Sequence, residues 1–207
     1  ILLESIGRNT APAITAAALQ VLKEDDAVLL VLSADHVIQD VKAFHRAINS
    51  ANQQAKSGKL TTFGIVPTDA NTGYGYIHKG EVINDVFEVK EFTEKPNQGT
   101  ANLFLKTNDY LWNSGMFMFQ AHTFIDELTT HVPHIVESAK NAINSATHDL
   151  DFIRMAPFIF NSKLNIQNST LSIDYALMEK SNNVVVVPLD AGWNDIGAWP
   201  ALYDIGK

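Results

Sequence analysis

Apolar residues run through this chain in two rhythms. "AVLLVLSAD" (27–35), "LTTFGIVP" (60–67) and "NVVVVPL" (183–189) are near-continuous aliphatic runs. Such runs suit strands buried on both faces of a parallel sheet. Between them the spacing turns helical. Thr10 as N-cap, with Pro12 in the first turn, predicts a helix over Ala11–Lys23, and a second follows over Val41–Lys56, ended by Gly58. Strand, helix, strand implies a right-handed crossover. The alternation of "GYIHKGE" and "VFEVKEF" predicts an antiparallel excursion between Tyr74 and Phe92, and "LWNSGMFMF" returns as a long apolar strand. Helices are expected from Ala121 to about Met155 and from Ser172 to Ser181, with a short one opened by Trp199. The chain starts at Ile1 without an initiator Met and is read as entering its first helix with no strand before it, as a fragment of a longer protein would. The expected class is α/β: one mixed, mostly parallel sheet with an inserted lobe, spanning residues 1–207.

Bulk chemistry narrows the partners. A net charge of −8 over 207 residues lacks the basic footprint that duplex DNA or bulk RNA requires. Having no cysteine, the chain has no disulfide framework, thiolate zinc site or cysteine nucleophile. No apolar run approaches the roughly 20 residues of a membrane span, and no signal-peptide order opens the chain. The cytoplasm is the expected compartment. Oligomeric state is not legible, and a homo-oligomer fits the sequence.

Polar clusters sit where strands should end, which is where open α/β sheets bind ligands. Asp35, in "SADH", follows the first aliphatic run, and Asp195, in "GWNDIG", follows the last. Two carboxylates converging from different strands are the usual protein share of a magnesium site, since the ion takes its other oxygens from water and phosphates. Equally, Asp35 could cap a helix and Asp195 shape a turn. In "TGYGYI", Gly75 allows close approach of backbone to a ligand, or is a plain hairpin glycine; the third glycine of a dinucleotide fingerprint is missing. "FTEKP" sets Glu94, suited to sugar hydroxyls, beside Lys95, suited to a phosphate; a solvated ion pair is the plainer reading. Asn113, inside an apolar strand, must find partners. His36 reads as a structural hydrogen bonder. "ESIGRNTAP" places Gly7, Arg8, Asn9 and Thr10 before a helix N-terminus, fit for a planar base or an anion, or for a simple cap.

Taken in order, "GRNTAPAI", "SADHVI", "GYGYI", "FTEKP", "WNSGMF", "SIDYALMEK" and "GWNDIGAW" resemble the bacterial mannose-1-phosphate guanylyltransferases, over nearly the whole chain. The resemblance implies a nucleotide-diphospho-sugar transferase (Rossmann-like) fold. It implies transfer of GMP from GTP to mannose 1-phosphate, giving GDP-mannose and pyrophosphate. By the same resemblance Asp35 and Asp195 would hold magnesium; Gly75, Glu94 and Asn113 would contact mannose, with Asp174 near it; Lys95 would meet the sugar's phosphate. Gly7, Arg8, Asn9 and Thr10 would lie at the guanine end. The family's glycine-rich triphosphate loop, GGxGTRLWPLSR followed by PKQF, does not occur in these residues. A non-catalytic sugar-phosphate-binding module and a transferase for another sugar 1-phosphate are therefore the alternatives.

Overall fold

The computed structural model describes residues 1–157 and 171–196. Its elements, in chain order, are β1 (Leu2–Leu3), α1 (Thr10–Val21), β2 (Val28–Val31), α2 (Val41–Lys56), β3 (Leu60–Ile65), β4 (Tyr76–Ile83) and β5 (Val86–Thr93). There follow α3 (Gln98–Thr107), β6 (Tyr110–Gln120), α4 (Ala121–His131), α5 (Pro133–Asn144), β7 (Thr147–Asp149), β8 (Phe152–Arg154), a π-helical turn (Asp174–Met178) and β9 (Val184–Pro188). The helix expected at Trp199 lies outside the described residues. The chain divides into two compact units, Ile1–Leu29 with Gln120–Asn182, and Leu30–Phe119 with Asn183–Lys207.

In the first unit α1 packs on α4 and α5. Small residues allow it: Ala16, Ala139, Ala142, Ile143 and Met155 form a core cluster, closed by Leu2 and Leu19. Asn9, not Thr10, is the N-cap of α1, its side chain accepting from the Thr10 N–H at 2.8 Å. Thr10 is spent on a longer-range bond described below. A strand does precede α1: Leu2 and Leu3 pair in parallel with Ile153 and Arg154 of β8. Nor do helices continue to Met155. They stop at Asn144, and β7 and β8 make an antiparallel hairpin instead; the apolar spacing there is too short to separate helix from strand.

The second unit is built on a six-stranded sheet ordered β2-β6-β3-β9-β5-β4. Class and mixed character are as expected, but the parallel majority is not. β3 pairs with β9 in parallel, whereas β3 with β6, β4 with β5 and with β6, and β5 with β9 are antiparallel. The aliphatic runs β3 and β9 do pair in parallel; the antiparallel majority comes from β4, β5 and β6. Four of the five strand residues of β9 are buried, and β6 is buried along nearly all its length. The run in β2 reads as equally buried, yet all its strand residues are only half-buried. The antiparallel excursion belongs to this same sheet, its turn made by Asn84 at φ 58°. α2 begins where expected, because Asp40 accepts from the Ala43 N–H at 2.9 Å. It ends past Lys56 at Gly58, whose φ of 83° suits glycine.

Gly64 is where β3 is most tightly enclosed: a Cβ there would stand 2.6 Å from Leu111 Cδ1 and 2.7 Å from Val186 Cγ2. Both neighbours are buried strand residues with no free end to swing away. Gly64→Ala should therefore destabilise the chain by about 1–3 kcal/mol through overpacking. A denaturant midpoint equal to that of the wild type would contradict this packing.

Candidate functional site

Two loops at the strand ends of the second unit carry Asp35 and Asp195, and the backbone holds them side by side. Val37 and Asn194 form an isolated antiparallel bridge, Val37 N–H to Asn194 O at 2.8 Å and Asn194 N–H to Val37 O at 3.0 Å. Gln39 and Asp40 both donate N–H to the Ala191 carbonyl at 3.0 Å. Gly192 makes the close approach possible. Its φ is 60°, and a Cβ there would fall 2.7 Å from Gln39 Oε1 and 2.8 Å from Gln39 Cβ.

The plain structural duties on these loops fall to neighbouring residues. Asp40, not Asp35, caps α2. Asn194, not Asp195, makes the turn, its Oδ1 accepting the Ile196 N–H at 2.8 Å. Asp35 is exposed and Asp195 half-buried. Ile196, directly after Asp195, sits at φ 48°, a left-handed conformation that is costly for a β-branched residue and typical of functional loops.

Aromatic rings brace the pair. Trp193 donates its indole N–H to His36 Nδ1 at 3.2 Å and meets that ring edge-on, with centroids 5.3 Å apart. His36 is thus the structural partner the sequence suggested, its Nδ1 the acceptor. Tyr74 lies edge-on to Trp193 at 5.5 Å and tilted on Trp112 at 5.0 Å. A cavity of about 240 Å³ opens beside these rings, lined by Asp69, Asn71, Tyr74, Trp112, Trp193 and Asn194 among others. Tyr74 and Trp112 were missed at the level of sequence; the aromatic residue directly before Gly75 and before Asn113 was the available signal.

Gly75, Glu94 and Asn113 come together. The Asn113 N–H donates to the Gly75 carbonyl at 2.8 Å. A Cβ on Gly75 would lie 2.5 Å from Glu94 Oε2 and 3.4 Å from Asn113 Cβ. Gly75 is therefore no hairpin glycine: it is needed because a carboxylate and a neighbouring strand crowd its α-carbon. Asn113 finds the partners its burial demands, Oδ1 accepting from Thr62 Oγ1 at 3.0 Å and from the Gly115 N–H at 3.3 Å. Gly115, at φ 71°, lies where β6 slips register against β3. Glu94 is paired with Lys95 at 3.2 Å; the Glu94 side chain is 8% exposed and that of Lys95 59%. The plain ion pair exists, but it leaves the ammonium in solvent. Lys95 too is held at a positive φ, 47°.

The remaining predicted residues stand in the first unit. Thr10 Oγ1 accepts the Ile173 N–H at 2.9 Å, and the Leu171 carbonyl accepts from Ala11 N–H at 3.2 Å. These bonds bring the segment Gly7, Arg8, Asn9, Thr10 together with the turn that starts at Asp174. Asn9 is strained at φ 73°. A Cβ on Gly7 would meet nothing within 4 Å. The turn is π-helical, a form that recurs at functional sites.

The nucleotidyl transferase family pattern matches residues 1–207. The chain belongs to that family. It is 51% identical to a mannose-1-phosphate guanylyltransferase of Salmonella muenchen over 211 residues, covering 100% of this chain and 44% of the relative. It is 46% identical to the mannose-1-phosphate guanylyltransferase of Escherichia coli K12 over 213 residues, covering 99% and 44%. The chain thus spans less than half the length of these curated relatives. Among solved structures it is similar to a Helicobacter pylori mannose-6-phosphate isomerase, with TM-score 0.80, 36% identity, and coverage of 94% of this chain and 73% of that one. A Thermus thermophilus structure described as mannose-1-phosphate geranyltransferase matches with TM-score 0.82 and 30% identity, covering 99% and 57%. The nucleotidyl transferase fold is thereby shown.

Burial, followed by the bond and charge of Asp195, pushes the Tyr74 hydroxyl up from its ordinary 10 to about 12. Its contribution to stability is complete below pH 10 and is lost as pH rises to 12, because there the unfolded chain loses a proton that the folded chain keeps. Stability should therefore fall across that window, and less steeply in Tyr74→Phe. Denaturation midpoints on the alkaline side, compared between the two chains, check this; parallel curves would refute it.

Proposed function

We propose that the protein to which this chain belongs transfers GMP from GTP to mannose 1-phosphate, giving GDP-mannose and pyrophosphate. One observation carries the reading: Asp35 and Asp195 stand on two loops joined by the Val37–Asn194 bridge, where Asp40 caps α2 and Asn194 takes the Ile196 N–H. The names of the relatives supply the substrates.

Two carboxylates of this kind suit magnesium. Among the described residues no group of three or more acidic, histidine or cysteine side chains is placed to hold a metal. Magnesium does not require such a cage, since it takes its remaining oxygens from water and substrate phosphates. Bound there, it would neutralise charge on the phosphates.

The chain's own residues then do three things. Gly75, Glu94 and Asn113 bind the sugar: the glycine lets backbone approach, the buried carboxylate accepts from hydroxyls, and the amide accepts and donates. Lys95, its ammonium exposed beside Glu94, meets the sugar's phosphate as a point charge. Gly7, Arg8, Asn9 and Thr10 take the guanine end; Asp174, expected near the sugar, opens the turn whose preceding residue, Ile173, bonds Thr10. The covalent step needs no protein nucleophile. An oxygen of mannose 1-phosphate attacks the α-phosphorus of GTP in line, a new P–O bond forms, the bond to the β-phosphate bridge breaks, and pyrophosphate leaves with its electron pair. Catalysis is then positioning and charge neutralisation.

Asp195→Asn keeps size and turn while removing charge. In the full-length protein it should lower turnover by about a hundredfold or more, as should Asp35→Asn. The double variant should be little worse than either, because both groups act on one ion. Pyrophosphate release from GTP and mannose 1-phosphate across a magnesium titration measures all three. Wild-type turnover in Asp195→Asn would overturn the metal assignment, and equal activity with UTP and glucose 1-phosphate would overturn the substrates.

A further inference from the structure

The backbone bonds that join the two loops of the candidate site lie to one side of its carboxylates. Val37 pairs with Asn194, and the Ala191 carbonyl takes the N–H groups of Gln39 and Asp40. Asp35 precedes Val37 in the one loop, and Asp195 follows Asn194 in the other. On their side of the bridge the link passes to side chains. Trp193 donates its indole N–H to His36 Nδ1 at 3.2 Å, and the two rings meet edge-on with centroids 5.3 Å apart. The bridge itself explains this meeting: His36 and Trp193 each stand one residue before the bridged pair, so they are diagonal neighbours of an antiparallel pair, at the roughly 7–8 Å that ring side chains span. The link is also anchored. Trp193 lies edge-on to Tyr74 at 5.5 Å, Tyr74 is tilted on Trp112 at 5.0 Å, and Trp112 is buried in β6. His36 approaches the same strand directly, since a Cβ on Gly115 would stand 4.0 Å from His36 Cε1.

Resting on the magnesium reading above, we infer that His36 is a positioning residue: the bond it accepts from Trp193 fixes the spacing of the Asp35 and Asp195 loops, so that both carboxylates reach one cation. A bridge of two backbone bonds lets the segments beyond it splay. A further attachment directly beside Asp35, made from a residue two before Asp195, stops that. A cation then binds loops already ordered and does not bear the cost of ordering them. Groups that orient a metal's ligands without touching the metal are commonly worth roughly 10- to 100-fold in affinity. The bond uses Nδ1 as acceptor, so another side chain can replace His36 only by presenting an acceptor at that place.

The test uses manganese(II) as the probe, with free ion read by electron paramagnetic resonance, in the full-length protein without nucleotide or sugar. His36→Phe keeps a ring and removes the acceptor, so manganese affinity should fall about tenfold. Trp193→Phe removes the donor and should lose a similar amount. The double variant should be little worse than either, since both changes delete one bond. His36→Asn offers Oδ1 where Nδ1 stood, each one bond from Cγ, and should stay close to wild type. Asp195→Asn should show the largest loss. Wild-type affinity in His36→Phe and Trp193→Phe, with a defect in Asp195→Asn, would overturn the inference and leave the metal reading standing. Additive losses in the double variant, or equal losses in His36→Asn and His36→Phe, would also overturn it, because ring packing and not the bond would then be responsible. Should His36→Phe fail to fold, a loss in Trp193→Phe beside retention in His36→Asn still decides for the bond, and any other pairing decides against it. Wild-type affinity in Asp195→Asn would overturn the metal reading, and the inference with it.

Discussion

Two backbone hydrogen bonds between Val37 and Asn194 decide where the chemistry of the second unit can lie. The strands before these loops, β2 and β9, are not neighbours in the sheet, so strand pairing alone does not join the loop of Asp35 to the loop of Asp195. The bridge does. It works only because Gly192 lets the chain pass against Gln39, and because Asn194 closes the turn behind it. The neighbours of Asp195 follow from that constraint: Trp193 is delivered to His36 and to the Tyr74 ring.

The second constraint is the buried amide in β6. An unpartnered side-chain amide in a sheet costs several kcal/mol, so the sheet must supply donors for Asn113. Thr62 comes from β3, and Gly115 is brought round by the register slip it permits. The same strand position sends the Asn113 N–H to Gly75. One polar residue in an apolar run thus meets three segments; a hydrophobic substitute would keep the backbone bond to Gly75 and lose the side-chain bonds to Thr62 and Gly115. Thr62 would then lose one of its two acceptors, keeping the Met116 carbonyl at 3.2 Å.

What was legible in sequence follows from this. The α/β class, the bounds of α2, the need of Asn113 for partners and the structural part of His36 all rest on local rules of capping, period and polar satisfaction. Strand direction was legible only in part: the aliphatic runs β3 and β9 pair in parallel as expected, but β6, also buried along most of its length, runs antiparallel to β3. The division of labour between Asp and Asn was also hidden. "WND" offers two side chains able to close the turn, and "DHVIQD" two aspartates, one of them able to cap α2; only coordinates show that Asn194 and Asp40 take those duties. Thr10 was misread for the complementary reason: as a cap it competes with Asn9, and its hydroxyl is instead claimed by Ile173, 163 positions away.

That division has a physical logic. A carboxylate that closes its own turn has its lone pairs pointed at backbone N–H groups, and a cation must then compete with them. Here the Ile196 N–H goes to the neutral neighbour, Asn194, and not to the charged side chain. Strain at Ile196 is consistent with a loop shaped for where Asp195 points and not for its own comfort. Lys95 repeats the pattern: a left-handed residue beside a buried carboxylate, with its charge in solvent. In both places the backbone carries a conformational cost of about 1–3 kcal/mol at or directly beside a charged side chain.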